Sequence, residues 1–280
     1  MFQSLAEYYW RKATIVKPAA IFITTTSHQD HHAVMTIQTE QEYLAAYRPE
    51  HYPRPLFSVD VAIFTLHDGV LKILLVQRAE HPFVNHWALP GGYVDLSADA
   101  DIAATARRKL LAKTGVNAPL LEQVETVGNA TRDPRGWSVT TLYMALIPYA
   151  PTTEFMESVV DARWWALDEL ENLALAFDHR ELVELARARL KNKTAYTVLP
   201  LHVLQQPFSL SQLQQAFELL LGSELEKKSF RRRILNADLL QEVGIGIPAG
   251  GKGRPAALYV PAPGSEQHLF VRVFGESGVE

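Results

Sequence analysis

The stretch from Leu89 to Val116, LPGGYVDLSADADIAATARRKLLAKTGV, joins a proline–diglycine turn to an arginine-rich helical segment. Glycines let backbone amides approach a ligand closely, and a helix behind them presents positions i, i+3 and i+4 on one face. When those positions are carboxylates, they gather hard cations such as Mg²⁺ for attack on a phosphate anhydride. Here they read Lys109, Ala112 and Lys113. Two ammonium groups four residues apart repel a divalent cation. Asp95, Asp99 and Asp101 precede the helix or begin it, so they cannot rebuild the same cage without moving the metal.

A second group of chemistry-bearing residues lies in TRDPRGWSVTTLYMAL and LAFDHRELV. A diphosphate needs positive charge and amides, and a purine needs an apolar or aromatic slot. Arg78, Arg132, Arg135 and the amides of Gly91 and Gly92 suit the first need, and Trp137 and Phe177 the second. Asp133, Asp178 or His179 suit ribose hydroxyls. Taken singly, each is read equally well as packing or as part of a solvated loop, and His179 as a cap on the helix that follows. Lys109 and Lys113 have two readings: they replace a metal's charge opposite a diphosphate, or they are solvated surface lysines.

A third group is KSFRRRILNADLL. On a helix, Phe230, Ile234 and Ala237 share an inward side, while Lys228, Arg232 and Asn236, spaced by four, share the other, with Arg231 beside them and Arg233 nearer the packed side. Arginine pairs bidentately with phosphate or guanine, and asparagine with adenine. A charge run is ordinarily a solvated face. The glycine-rich tip GGKGRP behind this one, with Lys252 and Arg254, favours contact with DNA phosphates or a minor groove. Two other motifs fail on context. GIGIPA carries Pro248 and follows no expected strand, and GGKG has Gly253 where a phosphate loop needs Ser or Thr.

The elements that hold these groups follow from periodicity. Glu40–Tyr47 reads as a short helix. Leu56–Leu66 and Val70–Arg78 alternate around His-Asp-Gly as a hairpin. Asp99–Lys113 carries Ile102, Ala103, Ala106 and Leu110 at helical spacing. Strands are expected in LEQVETVGNA, SVTTLYMALIPY and RWWAL, and an amphipathic helix over His179–Leu190. Ser209 with Gln212 is a capping-box signature for a helix that stops at Gly222. KKSFRRRILNADLLQEVG then reads as one helix ended by Gly244, before GIPAGGKGRPAALYV enters a strand. Two helices and a basic hairpin outline a winged helix-turn-helix.

The chain has 280 residues, no cysteine and a formal net charge of −4. Thiolate metal sites and a cysteine nucleophile are therefore excluded, a uniformly basic coat is absent, and a cytoplasmic address is expected. No apolar run nears the roughly 20 residues that span a bilayer, so no membrane association is expected. Residues 1–34 read as an irregular extension whose His28, His31 and His32 are solvated, with Met35 the expected natural start.

The LPGG turn and RKLLAKTGV resemble the Nudix box, in which Gly, five residues, Glu and seven residues lead to Arg-Glu-x-x-Glu-Glu-x-Gly. Anchoring on Arg108 and Gly115 places Lys109, Ala112 and Lys113 at metal-binding glutamates, and Ala100 at the upstream one, two residues out of register. The RDPRG and FDH segments resemble the ADP-ribose branch of Nudix proteins. With KSFRRR and KGRPAALY, the chain from about Met35 onwards is similar to the Nudix-related transcriptional regulator family, NrtR.

That resemblance implies an α/β (α+β) architecture, a Nudix-fold mixed-sheet α/β/α sandwich over 35–195 and a winged helix-turn-helix over 196–280. It implies a homodimeric repressor of NAD synthesis or salvage genes that binds double-stranded operator DNA. ADP-ribose or a related nucleotide is its effector, with no cofactor required; from the residues themselves, Lys109, Ala112 and Lys113 in place of metal-binding glutamates, hydrolysis is expected to be absent or marginal. The competing expectation is an active Mg²⁺-dependent ADP-ribose pyrophosphatase with an accessory C-terminal unit. A sugar-sensing regulator of similar architecture comes third.

Overall fold

The structure, a computed structural model, describes residues 39–115, 120–151, 159–247 and 254–275. The extension at 1–34 with its histidines, the side chain of Lys113 and the wing tip with Lys252 lie outside the described residues. The chain divides into two units, Met1–Pro53 and Arg54–Glu280. In the first, α1 (Glu40–Ala46) is held by a capping box between Thr39 and Glu42, and Tyr47, just past its end, stacks on Tyr52 and meets Tyr43 at a tilt.

In the second unit, β1 (Leu56–His67) and β2 (Val70–Arg78) form the expected hairpin. Asp68 and Gly69 both adopt positive φ, 54° and 74°, the conformation a two-residue turn demands. Two short strands follow, β3 (Trp87–Ala88) and β4 (Gly91–Tyr93). Then come α2 (Ile102–Thr114), β5 (Leu120–Asn129), β6 (Ser138–Leu146), β7 (Val159–Ala166) and α3 (His179–Thr194). One mixed sheet runs in the order β3-β2-β1-β6-β5, with β4 paired to β1 and β7 to β2. The β1–β6 pair is parallel.

Both faces of β1 are buried, which explains its nearly unbroken apolar run. Val59, Val61 and Ile63 face Ala106 and Leu110 of α2. Ala62 and Phe64 face Leu182, Val183, Ala186 and Leu190 of α3. The result is the expected α/β/α sandwich. The helix α2 begins later than periodicity suggests because Asp101 caps it, accepting from the Ala104 amide at 2.6 Å.

The C-terminal helices are α4 (Leu210–Leu221), with Ser209 and Gln212 in the expected capping box, and α5 (Lys227–Asn236). The reading of one helix running to Gly244 is corrected. The helix stops at Asn236, Asp238 turns at φ 50°, and Leu240–Gly246 forms β8, antiparallel to β9 (Ala256–Pro261). Helical spacing continues past Asn236, but the segment pairs with a strand that lies beyond it in sequence, so tertiary pairing wins over local period. Phe270 and Phe274 return to pack on Phe217 and Phe230, as their amides bond the carbonyls of Tyr196 and Ala195.

The sheet and the C-terminal helices share apolar surface. Ala216 and Leu220 of α4 belong to the same cluster as Phe64, Leu146 and Leu190, joined by Leu199 and Val203 of the connecting 3₁₀ turn Leu199–Val203. At the seam, the Gly69 turn meets Gln215. Leu220→Ala should therefore cost about 2–5 kcal/mol and lower one common thermal transition for residues 54–275, followed by circular dichroism. A melt in which the C-terminal helices alone are lost would contradict this shared core.

Candidate functional site

A cleft of about 650 Å³ opens at the end of the sheet where β1 starts and β2 finishes. Asp60 of β1, Arg78 at the end of β2, Gly91 and Gly92 of β4, and Lys109 of α2 form one side. Arg132, Asp133 and Arg135 come from the loop before β6, and Phe177 and His179 from the entry to α3. Gly91 has no alternative: a Cβ there would stand 2.1 Å from an Asp60 carboxylate oxygen and 2.6 Å from the Val59 carbonyl. Gly92 sits at φ 146°, and a Cβ would lie 2.8 Å from Nζ of Lys109. The diglycine is thus explained by close packing as well as by any ligand.

Most charges in the cleft are already paired. Arg132 donates both Nε and Nη2 to Asp178 at 2.9 Å, and this pair is largely buried. Arg135 grips Asp133 through Nε at 3.0 Å and Nη2 at 2.7 Å. Burial pushes the Asp133 carboxyl up, but the hydrogen bonds from Arg135 outweigh it and leave the group below its usual range. Arg108 holds Asp99 bidentately at 2.8 and 2.5 Å. Arg78 and Lys109 differ. Among the described residues neither has a carboxylate within ion-pair distance, and Arg78 instead donates to the Pro82 carbonyl at 2.8 Å. Burial, followed by the Arg135 charge, lowers the Arg78 pKa.

The aromatic wall is Phe177, whose φ of 53° places it in the left-handed region that bulky residues rarely occupy. Arg78 lies 4.9 Å and Arg135 5.8 Å from its ring centroid, and Phe83 packs edge-on at 4.8 Å. Next to it His179 is buried. Its Nδ1 accepts the Leu89 amide at 2.9 Å, which puts its proton on Nε2, 3.9 Å from Asp60. Asp60 also accepts the Thr140 hydroxyl at 2.7 Å. Burial pushes the His179 pKa below its ordinary value, so the ring is a neutral strut between β1, the Leu89 turn and α3.

The acids left near the box are committed elsewhere. Asp99 is held well below the usual carboxylate range, first by Arg108, and it also accepts the Asp95 amide and the Thr105 hydroxyl. Asp95 accepts the Ser97 amide and hydroxyl, and Asp101 caps α2. Among the described residues no three His, Asp or Glu side chains converge as a metal site.

Of the residues named from the sequence, Arg78, Gly91, Gly92, Arg132, Asp133, Arg135, Phe177 and His179 line one cleft. Asp178 is drawn back into its pair with Arg132. Trp137 does not line the cleft. Its ring is half exposed and lies over Gly128, whereas Phe177 and Tyr93 are the aromatic side chains that line the cleft beside His179. Sequence reasoning missed Asp60, although it is the one charge inside an apolar strand, and Tyr93, whose ring lies 5.6 Å from Arg135.

On α5, Lys228, Arg232 and Asn236 are exposed together, and Arg254 is exposed at the base of the wing. Arg231 is half-buried and donates to the Ser211 hydroxyl at 3.2 Å. Arg233 packs on the returning C-terminal segment, as its place nearer the packed side of the helix suggests. Its guanidinium lies 3.7 Å from the Phe274 ring centroid and 4.6 Å from that of Phe270, and it donates to the Val273 carbonyl. The Glu226 carboxylate accepts the Lys228 and Ser229 amides at the helix start, so phosphate contacts would fall to side chains.

The family model of the NUDIX domain matches residues 56–186, and that of the NrtR DNA-binding winged helix domain matches residues 200–260. A relative from Acinetobacter baylyi, named ADPR responsive transcriptional repressor NtrR, is 47% identical over 225 residues, 80% of this chain and 89% of its own. The crystal structure of Shewanella oneidensis NrtR complexed with a 27mer DNA is 45% identical, covers 78% of this chain and 98% of that one, and has a TM-score of 0.71. The NUDIX domain of Shewanella oneidensis NrtR complexed with ADP ribose is 49% identical, covers 54% of this chain and 99% of that one, with a TM-score of 0.53.

Because His179 binds its proton less readily folded than unfolded, its contribution is intact above the ordinary value of 6.5 and is lost as pH falls below it. The melting temperature should drop between about pH 7 and about pH 5, and His179→Asn, which keeps an acceptor for the Leu89 amide, should flatten that slope. An unchanged slope in differential scanning calorimetry would show that other groups set the pH dependence.

Proposed function

This chain belongs to the NrtR family, and from that premise we propose that it is a transcriptional repressor that reads ADP-ribose in one part and DNA in another. The sensing domain is residues 35–195, the DNA-binding domain residues 196–280, and residues 1–34 an extension outside both. The observation that carries this reading is the coexistence of two features within Arg54–Glu280. One is a cleft with cationic groups that lack carboxylate partners among the described residues. The other is an exposed Lys228, Arg232 and Asn236 face next to a wing.

In the cleft, Arg78 with the Gly91 and Gly92 amides faces a diphosphate, and Phe177 offers its ring to adenine. Arg132, Asp133, Arg135, Asp178 and His179 meet ribose hydroxyls or hold the groups that do. No metal or other cofactor is required, and ADP-ribose leaves intact because the remaining acids are committed to Arg108, backbone amides and helix capping. Lys228, Arg231, Arg232, Asn236, Lys252 and Arg254 contact a double-stranded operator, with Arg233 supporting the helix from behind. The protein works as a homodimer, in the cytoplasm with the DNA it controls. The genes of NAD synthesis or salvage are its targets, on the strength of the family resemblance.

The helix α3 supplies a physical link. It starts at His179 in the cleft and packs Leu190 into the cluster that contains Ala216 and Leu220 of α4. At about 1.5 Å per residue it spans roughly 24 Å. A ligand that reorders Phe177 and His179 therefore acts on the end of a rod whose other end seats the DNA-binding helices.

Three measurements test this. ADP-ribose should weaken operator binding, and operator should weaken ADP-ribose binding by the same factor, about 5–150-fold. Equal ADP-ribose affinity with and without saturating operator would remove it as the signal. Arg232→Ala should weaken operator binding by about 1–3 kcal/mol without altering the melting temperature. An unaffected affinity would place the reading face elsewhere. With ADP-ribose and Mg²⁺ or Mn²⁺, hydrolysis should be absent or marginal, and turnover of about one per second would instead identify a pyrophosphatase.

A further inference from the structure

The side chain of Lys109 occupies an unusual place for a helix lysine. It is partly buried rather than extended into solvent, with Nζ, Cε and Cδ at 2.8, 3.1 and 3.9 Å from the place a Cβ on Gly92 would take. It lines the cleft together with Arg78, Arg132 and Arg135. Those two last guanidiniums are each neutralised by an aspartate, and Arg108, one residue before Lys109, is neutralised by Asp99. Among the described residues, nothing accepts a hydrogen bond from the Lys109 ammonium. Burial, then the neighbouring Arg108 charge, lowers its pKa, and the more distant Asp99, Asp95 and Asp60 oppose that. A buried cation without a partner is costly, and here it borders open cleft rather than protein.

We propose that Lys109 stands in for the divalent cation, its ammonium neutralising the diphosphate of the effector so that binding is metal-free. This rests on the ADP-ribose reading above and goes beyond it by naming the group that replaces the metal. Three physical reasons support it. A lysine at a glutamate position both removes a ligand for Mg²⁺ and supplies positive charge. The Gly92 backbone leaves room for the ammonium close to the turn. Arg107 and Arg108 of α2 and Arg132 and Arg135 of the loop before β6 are engaged with carboxylates, so among the described residues the diphosphate's charge falls to Arg78 and Lys109. A compact point charge with three donors suits two phosphate oxygens at once. It cannot polarise a water into a nucleophile as a metal does, so the same substitution favours binding and removes turnover.

The test is calorimetric titration of ADP-ribose into the native chain, Lys109→Met and Lys109→Arg, each in EDTA and again with excess Mg²⁺. The native protein should bind in EDTA, and Mg²⁺ should not strengthen it. Lys109→Met keeps the stem over Gly92 but not the charge, and should bind about 10–100-fold more weakly, as for loss of one charged hydrogen bond. Lys109→Arg should retain most of the affinity, which a purely packing role for the stem would not predict. Native affinity in Lys109→Met, or binding by the native protein only with Mg²⁺, would overturn the proposal. If the native protein binds ADP-ribose in neither condition, the effector reading fails instead. Inorganic pyrophosphate titrated into the same three proteins in EDTA then decides the lysine's role: weaker binding only in Lys109→Met supports it, and equal binding in all three overturns it.

Discussion

The helix His179–Thr194 must bury one apolar face against two partners at once, and the rest of the molecule is arranged around that constraint. Leu182, Val183 and Ala186 cover the sheet, while Leu190 reaches the cluster that includes Ala216 and Leu220 of the C-terminal helices. Its first residue, His179, braces the Leu89 turn and faces Asp60. One helix therefore fixes the wall of the cleft and the seat of the DNA-binding unit. Glu122 of β5, paired with Arg189 and with Lys193, ties the outer face of the helix to the sheet edge. Those charges are partly exposed and add little beside the apolar burial.

The electrostatics of the cleft follow from how its carboxylates are used. Asp99, Asp133 and Asp178 each close on one arginine, and each pair is bidentate. Such forks hold loops in place because the guanidinium is planar and its donors are fixed. They also withdraw charge from the ligand, so what remains available is set by the cations left over. In a metal-dependent relative the acids would face inward and the cation would be exchangeable. Here Asp99, Asp133 and Asp178 are each held by an arginine and serve the scaffold.

The C-terminal unit divides its basic residues in the same way. Lys228, Arg232 and Asn236 point outward, whereas Arg233 sits over Phe270 and Phe274 and cements the returning C-terminal segment to α5. A run of three arginines thus holds one residue for packing, one half-buried against α4 through Ser211, and one exposed. Helical geometry separates them by about 100° each, so adjacent positions in sequence face different environments.

Much of this was legible in the sequence because it depended on local rules. The hairpin at Asp68-Gly69, the capping box at Ser209, the stop at Gly222 and the amphipathic α3 are all short-range signals with a single reading. That Lys109 and Ala112 rather than carboxylates stand at i and i+3 on one helical face is a matter of residue type and spacing alone. Tertiary structure decided the rest. Leu240–Gly246 became a strand because Ala256–Pro261 pairs with it, and Trp137 left the cleft because its ring settled over Gly128. Asp178 turned to Arg132, some 46 residues away in the chain. Phe270 and Phe274 acquired partners in α4 and α5 that no local pattern announces. The sequence by itself determined which residue types stand on the helix behind the diglycine turn, Lys109 and Ala112 among them, since residue type and helical spacing need no tertiary contact. Only the folded chain decided which cations stay available, because pairing depends on distances that the order of residues does not contain.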